Sequence, residues 1–81
     1  MYSRKKFQAD VKALNERWFA ASSYELVCVH ISGMHDVKIK RKDGNSWVHD
    51  VSCEETCSKA YDKACVKIAE GWLDQYMQKG E

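Results

Sequence analysis

The first part of the chain carries apolar residues at helical spacing. They follow one another at steps of four, three, four and three residues: Phe7, Val11, Leu14, Trp18 and Ala21. This spacing places them on one side of an α-helix, with charged side chains mostly on the other side. The pattern predicts a helix over residues 4–21, which the Ser3 hydroxyl can cap and which Ser22 and Ser23 end.

Three segments rich in β-branched residues follow, and they predict strands over residues 24–31, 35–42 and 46–51. The first connection, Ser32-Gly33-Met34, predicts a three-residue hairpin loop. The second contains Asp43-Gly44, a pair typical of the two-residue type I′ turn, in which both central residues have a positive φ.

The last part of the chain predicts a second long helix. Ser52 and Glu55 have the spacing of a capping box, in which each side chain bonds the other residue's backbone N–H. We expect the helix to run to about Gln78 despite Gly71 in its interior, with Gly80 just past its end. Its main apolar face collects six residues: Cys57, Ala60, Tyr61, Ala64, Ile68 and Trp72.

These elements predict an α+β fold in a single domain that covers residues 1–81. The order is α-β-β-β-α, and we expect a three-stranded antiparallel sheet with the two helices packed on one face. The loop lengths set a register that pairs Lys40 with Trp47, Ile39 with Val48, and Val29 with Val37. This register gives a core face with Val27, Val29, Ile31, Val37, Ile39 and Val48.

The other side of the predicted sheet faces solvent. It carries Leu26, Cys28, His30, Asp36, Lys38, Lys40, Trp47 and His49. One interpretation is an ordinary solvated face, where long lysine side chains cover the apolar residues. The other is a binding platform, because an exposed tryptophan beside lysines and histidines can stack on a base or anchor a partner protein. The candidate binding residues are Leu26, His30, Lys38, Lys40, Trp47 and His49.

Composition narrows the function classes. The 81 residues are 44% hydrophobic, which indicates a folded domain, and the net charge of +1 indicates neither an acidic nucleic-acid mimic nor a strongly basic binder. The N-terminus begins like a signal peptide, but Lys12, Glu16 and Arg17 interrupt any apolar run, and no stretch reaches roughly 18 apolar residues. We therefore expect no membrane contact, a cytoplasmic location and four reduced cysteines.

No catalytic, metal or cofactor site is predicted. Cys28 and His49 lie two strands apart in the expected register, and the chain has no CxxC pair for zinc. Cys53 gains from a helix N-terminus, but Glu54 and Glu55 oppose a thiolate there. The basic stripe of the second helix continues into acidic residues and indicates a solvated surface: Lys59, Lys63, Lys67, Glu70 and Asp74.

A second apolar stripe follows the far side of the predicted second helix. Val66, Leu73 and Met77 recur at steps of seven and four residues. Two uses fit this stripe. It can pack on the first helix, which would enlarge the core of a small domain, or it can pair with a second copy in a symmetric homodimer.

The layout resembles the double-stranded-RNA-binding domain. Gly33-Met34-His35 is similar to a shortened form of that family's Gly-x-x-His loop, and the spacing of Ala60 and Ala64 is similar to its alanine-rich last helix. The resemblance implies that His35 lies in a loop that enters the minor groove of duplex RNA. The family's lysine cluster at the start of the last helix is replaced here by Cys53, Glu54 and Glu55, which would repel phosphate.

The leading hypothesis is therefore a non-enzymatic protein-binding module. Small single domains without a catalytic motif resemble accessory proteins of phages and mobile elements, which implies a regulator or inhibitor that docks on a larger complex. The alternative is a nucleic-acid-binding domain of the double-stranded-RNA-binding type. A small enzyme is the third hypothesis, and the near-neutral charge favours the first over the second.

Overall fold

The structure is a computed structural model that describes residues 2–77. Two helices flank a sheet, in the order α1 (Arg4–Trp18), β1 (Tyr24–Ile31), β2 (Met34–Arg41), β3 (Trp47–Glu54) and α2 (Cys57–Ala69), and a short 3₁₀ helix follows at Asp74–Tyr76. The strands form one antiparallel sheet in the order β1-β2-β3. The predicted α+β class and element order are thus confirmed.

Helix α1 begins where its cap predicts. The Ser3 hydroxyl accepts a hydrogen bond from the backbone N–H of Lys6 at 3.1 Å. Phe7 and Val11 are buried, as the stripe requires, but the helix ends at Trp18 and not at residue 21. Phe19 follows as the C-cap, and its side chain is fully buried in the core.

Both helices cover one face of the sheet, and the core lies between these layers. The buried residues of the sheet on this face include Leu26, Val37 and Ile39. The helices contribute Phe7, Val11, Cys57, Ala60 and Ala64 to the same buried cluster. The small alanines of α2 let the helix approach the sheet closely, which suits a domain with few residues to fill its core.

The register of β1 differs from the predicted one by one residue. The hairpin turn has two residues, Ser32 and Gly33, with φ values of 53° and 79°. These values match a type I′ turn, whose twist suits the right-handed twist of the two strands. Val29 therefore lies opposite Asp36, not opposite Val37. A shift of one residue turns every side chain of β1 to the other face, so Leu26 lies in the core and Val27 does not.

The pairing of β2 with β3 is partly as predicted. Lys40 lies opposite Trp47, which confirms that pair, but Ile39 lies opposite His49 and not Val48. Two irregularities in the ladder account for the change, because each adds an extra residue to β3. The connecting turn is also different: neither Asp43 nor Gly44 has a positive φ, and Gly44 N–H donates to the carbonyl of Arg41 at 3.2 Å.

Helix α2 begins later and ends earlier than predicted. Thr56 is the N-cap and accepts from Lys59 N–H at 3.1 Å, while Ser52 lies in β3 and donates its hydroxyl to the Ala60 carbonyl at 3.0 Å. The helix ends at Ala69, before Gly71 with its φ of 85°. Gln78 and Gly80, where the sequence places the helix end and its cap, lie outside the described residues.

Candidate functional site

The sheet face turned away from the helices is the largest candidate surface. We call it the open face, and alternation along the paired strands assigns it eleven residues: Glu25, Val27, Val29, Ile31, Met34, Asp36, Lys38, Lys40, Trp47, Asp50 and Cys53. Because the strands hold them in a sheet, their backbone positions are set before any partner arrives.

The structure places three of the six predicted binding residues on the open face and three elsewhere. Lys38, Lys40 and Trp47 lie on it, as expected. The predicted position of the other three on this face is wrong, because the register of β1 and the irregularities of β3 turn their side chains toward the helices. They are Leu26, which is buried, His30, whose ring centroid lies 5.9 Å from that of Phe7, and His49, whose ring lies 5.5 Å from that of Tyr76.

Ion pairs hold both lysines of the open face. Lys40 Nζ lies 3.0 Å from a Glu25 carboxylate oxygen, and Lys38 Nζ lies 2.6 Å from Asp50 and 3.5 Å from Asp36. The hydrogen bond from Lys38 lowers the pKa of Asp50, and the same bond raises the pKa of Lys38. Each lysine is therefore matched by a carboxylate across the strands, and the face carries little unpaired positive charge.

Apolar residues occupy the rest of the open face. Trp47 is 49% exposed and Ile31 is 57% exposed, while Val27 and Val29 are half-buried beside the lysines. The predicted register places the β1 valines and Ile31 in the core, whereas the structure places them on the open face. The signal that could have found them is Ser32-Gly33, since a pair of residues that tolerates a positive φ indicates a two-residue turn.

A second group of chemically active side chains lies where α2 begins. His30 and His35 approach each other with their Nδ1 atoms 2.8 Å apart, and Cys57 Sγ lies 3.4 Å from the same Nδ1 of His35. Burial, and then the charge of Arg4, lowers the pKa of His30. His35 lies inside β2, not in the preceding loop, so the position that the RNA-binding resemblance implies for it is wrong.

The four cysteines are free in the structure, and their burial differs: Cys57 is buried, Cys28 and Cys65 are half-buried and Cys53 is exposed. Burial raises the pKa of Cys28 to about 11, and a hydrogen bond with Asp36 raises the pKa of the exposed Cys53. Among residues 2–77, no group of three or more His, Cys, Asp or Glu side chains is arranged to hold a metal ion.

The predicted oligomer stripe does not form a helix face. Leu73 is fully buried in the core, Met77 packs against that core, and Val66 is 51% exposed on α2. The predicted stripe needs one helix through all three residues, but α2 ends at Ala69 and the chain turns at Gly71. Trp72, predicted on the buried face of the helix, is 65% exposed for the same reason.

Within residues 2–77, none of the helices combines the length and the apolar character that a membrane span requires. Comparison of the chain with protein-family models, with curated proteins and with solved structures finds no match.

Proposed function

We propose that this domain is a non-enzymatic protein-binding module and that its open face receives the partner. The observation that carries the proposal is the exposure of Trp47 and Ile31 on a sheet face that the helices leave uncovered. Large side chains held on a rigid surface lose little conformational entropy on binding, and tryptophan is prominent among the residues that dominate binding energies.

The charge arrangement favours a protein over a nucleic acid. A phosphate would have to separate Lys38 from Asp50 or Lys40 from Glu25, and the freed carboxylates would then repel it. A protein surface with an apolar centre can instead cover Trp47 while the ion pairs remain at the rim, as in ordinary interfaces. A regulator or inhibitor that docks on a larger complex is the specific role we propose.

Two exposed tryptophans provide a matched test. Trp47→Ala removes the proposed anchor, whereas Trp72→Ala removes a 65% exposed ring that lies outside the open face. Purified domain is crosslinked to partners in a nuclease-treated lysate of its host, and the affinity for the captured protein is then measured. We expect Trp47→Ala to weaken binding about thirtyfold, equivalent to about 2 kcal/mol, and Trp72→Ala to change it less than twofold.

Controls separate binding from folding in this experiment. Both variants keep the core intact, so their far-UV circular dichroism and melting temperatures should match those of the wild type. Capture that survives Trp47→Ala, or that Trp72→Ala abolishes, would contradict the use of the open face.

Binding of duplex RNA is the second candidate, and the start of α2 favours it. Because the helix begins at Cys57, Lys59 lies exposed in its first turn, and Lys63 and Lys67 follow at steps of four. Helix N-termini and lysines both attract phosphate. A gel-shift assay with a duplex of about 16 base pairs tests this, since that length spans a domain of the type. A shift that Lys59→Glu abolishes and Trp47→Ala leaves intact would replace the protein-binding proposal.

A further inference from the structure

We propose that Cys57, His35 and His30 form a reactive-thiol site that soft electrophiles reach through a pocket beside α2. The site lies on the helix side of the sheet, and the proposal is independent of the open face. Three features support it: the position of the sulfur at a helix start, its contact with a histidine, and the opening of the pocket beside it.

Cys57 is the first residue of a 13-residue helix, directly after the Thr56 cap. The unpaired N–H groups and the dipole of a helix start stabilise negative charge. A thiolate at this position is therefore favoured over one in the middle of a helix or strand. The cap leaves this effect in place, because the Thr56 hydroxyl takes the N–H of Lys59 and not that of Cys57.

His35 is the partner of the thiol. One proton must lie between the Nδ1 atoms of His30 and His35, because two facing lone pairs 2.8 Å apart would repel each other. When His35 carries it, the same N–H also faces Cys57 Sγ at 3.4 Å. Cys57 can then release its proton to the solvent of the pocket, and the His35 N–H donates to the thiolate that remains. A nucleophile, a group that activates it and a third group that orients the second are the parts of an activated nucleophile.

The surroundings of His30 favour its neutral form. His30 lies edge-on to Phe7, and its Nε2 is buried without a hydrogen-bond partner. Burial lowers its pKa, so a second proton on this ring is unfavourable. His35 instead lines the pocket, where water can reach it. His30 is thus a positioning residue, and His35 is the donor to the thiolate.

A pocket of about 560 Å³ leads to the sulfur. Its wall includes His35, Cys57 and Arg4, while Glu55 supplies one opposing charge. Cys57 is only 7% exposed, but it lines this pocket, so a reagent in the pocket meets the residue. The volume is within the range of small-molecule sites, which extends from about 300 to 1,000 Å³.

The chemical step is a substitution at carbon. Cys57 releases its proton to solvent, and a sulfur electron pair forms a bond to the electrophilic carbon while the His35 N–H donates to the sulfur until that bond forms. The leaving group departs with the electron pair of the broken bond. No oxidant or reductant is required.

Alkylation rates of the four thiols test the proposal, with iodoacetamide as the probe. The folded protein is treated near neutral pH, and mass spectrometry follows each cysteine separately. Cys53 is the matched reference because it is exposed but has a raised pKa. We expect Cys57 to react at least tenfold faster than Cys53, and His35→Phe to slow Cys57 tenfold or more while Cys53 is unchanged.

A second measurement applies even if His35→Phe does not fold. In the wild type, the Cys57 rate should rise in proportion to the iodoacetamide concentration, because the pocket admits the reagent to the folded protein. The Cys53 rate should show the same proportionality with a rate constant at least tenfold lower. If Cys53 reacts first, and if Cys57 reacts only at a rate that is independent of iodoacetamide concentration, the thiol is reached only by unfolding and the proposal is wrong.

Discussion

Asn15 takes the place of a neighbouring strand at the edge of β1. Its side-chain carbonyl accepts from Leu26 N–H at 2.7 Å, and its amide donates to the Leu26 carbonyl at 2.8 Å. Both backbone groups point away from β2, so no strand of the sheet satisfies them. One side chain thus joins α1 to the sheet and closes part of an edge that could otherwise pair with another chain.

Replacement of Asn15 should therefore lower the free energy of unfolding more than is usual for a position on the surface of a helix. Asn15→Ala favours the helix intrinsically, yet it leaves two part-buried backbone groups without partners. We expect the free energy of unfolding to fall by about 2 kcal/mol, measured by urea denaturation. Gln8→Ala, at an exposed position of the same helix, should change it by less than about 0.5 kcal/mol. Equal effects of the two substitutions would show that the Asn15 bonds contribute nothing.

At the scale of elements, the α-β-β-β-α order and the α+β class follow from the sequence, because the spacing of apolar residues changes clearly between helical and strand segments. The faces of β1 do not, since both alternating sets are apolar: Leu26 and Cys28 on one side, Val27 and Val29 on the other. Hydrophobicity alone would place the valines in the core. Only the two-residue length of the Ser32-Gly33 turn shows that the other set faces the core. The irregularities of β3 depend on tertiary packing and have no local signal.

The candidate site was predictable only in part for the same reason. Lys40 lies opposite Trp47 as predicted, and Lys38 is two residues away on the same strand, so the shared face of these three residues follows from the sequence. The meeting of Cys57 with His35 joins residues 22 positions apart and depends on where α2 begins. The capping-box pattern placed that start too early, and the real cap, Thr56, was missed.

Gly71 decides where α2 ends, and a substitution there should show it. Its φ of 85° is unfavourable for any residue with a side chain, and an added Cβ would lie 3.2 Å from Asp74 Oδ2. We expect Gly71→Ala to lower the free energy of unfolding by about 1 kcal/mol or more. Gly44→Ala is the control, because its Cβ would make only an ordinary 3.8 Å contact with Arg41. A stabilised Gly71→Ala variant would mean that α2 can continue through this position.

For the whole molecule, the two proposed sites lie on opposite sides of one sheet. The open face presents Trp47 and Ile31, and the thiol site lies between the sheet and the start of α2. β2 contributes to both, since alternate residues of a strand face opposite directions: Lys38 to one side and His35 to the other. Binding at the open face therefore leaves the pocket beside Cys57 uncovered.

The last turn of the described chain completes the core, and this determines what a change at Leu73 does. The side chain is fully buried, so Leu73→Glu places a charge where water does not reach it. We expect a loss of several kcal/mol, a large part of the total stability of a domain of this size. Val66→Glu, on the exposed face of α2, should change the free energy of unfolding by less than about 0.5 kcal/mol. Urea denaturation and sedimentation measure both variants. A Leu73→Glu protein that stays folded while a wild-type dimer becomes a monomer would instead place this residue in a contact between two copies.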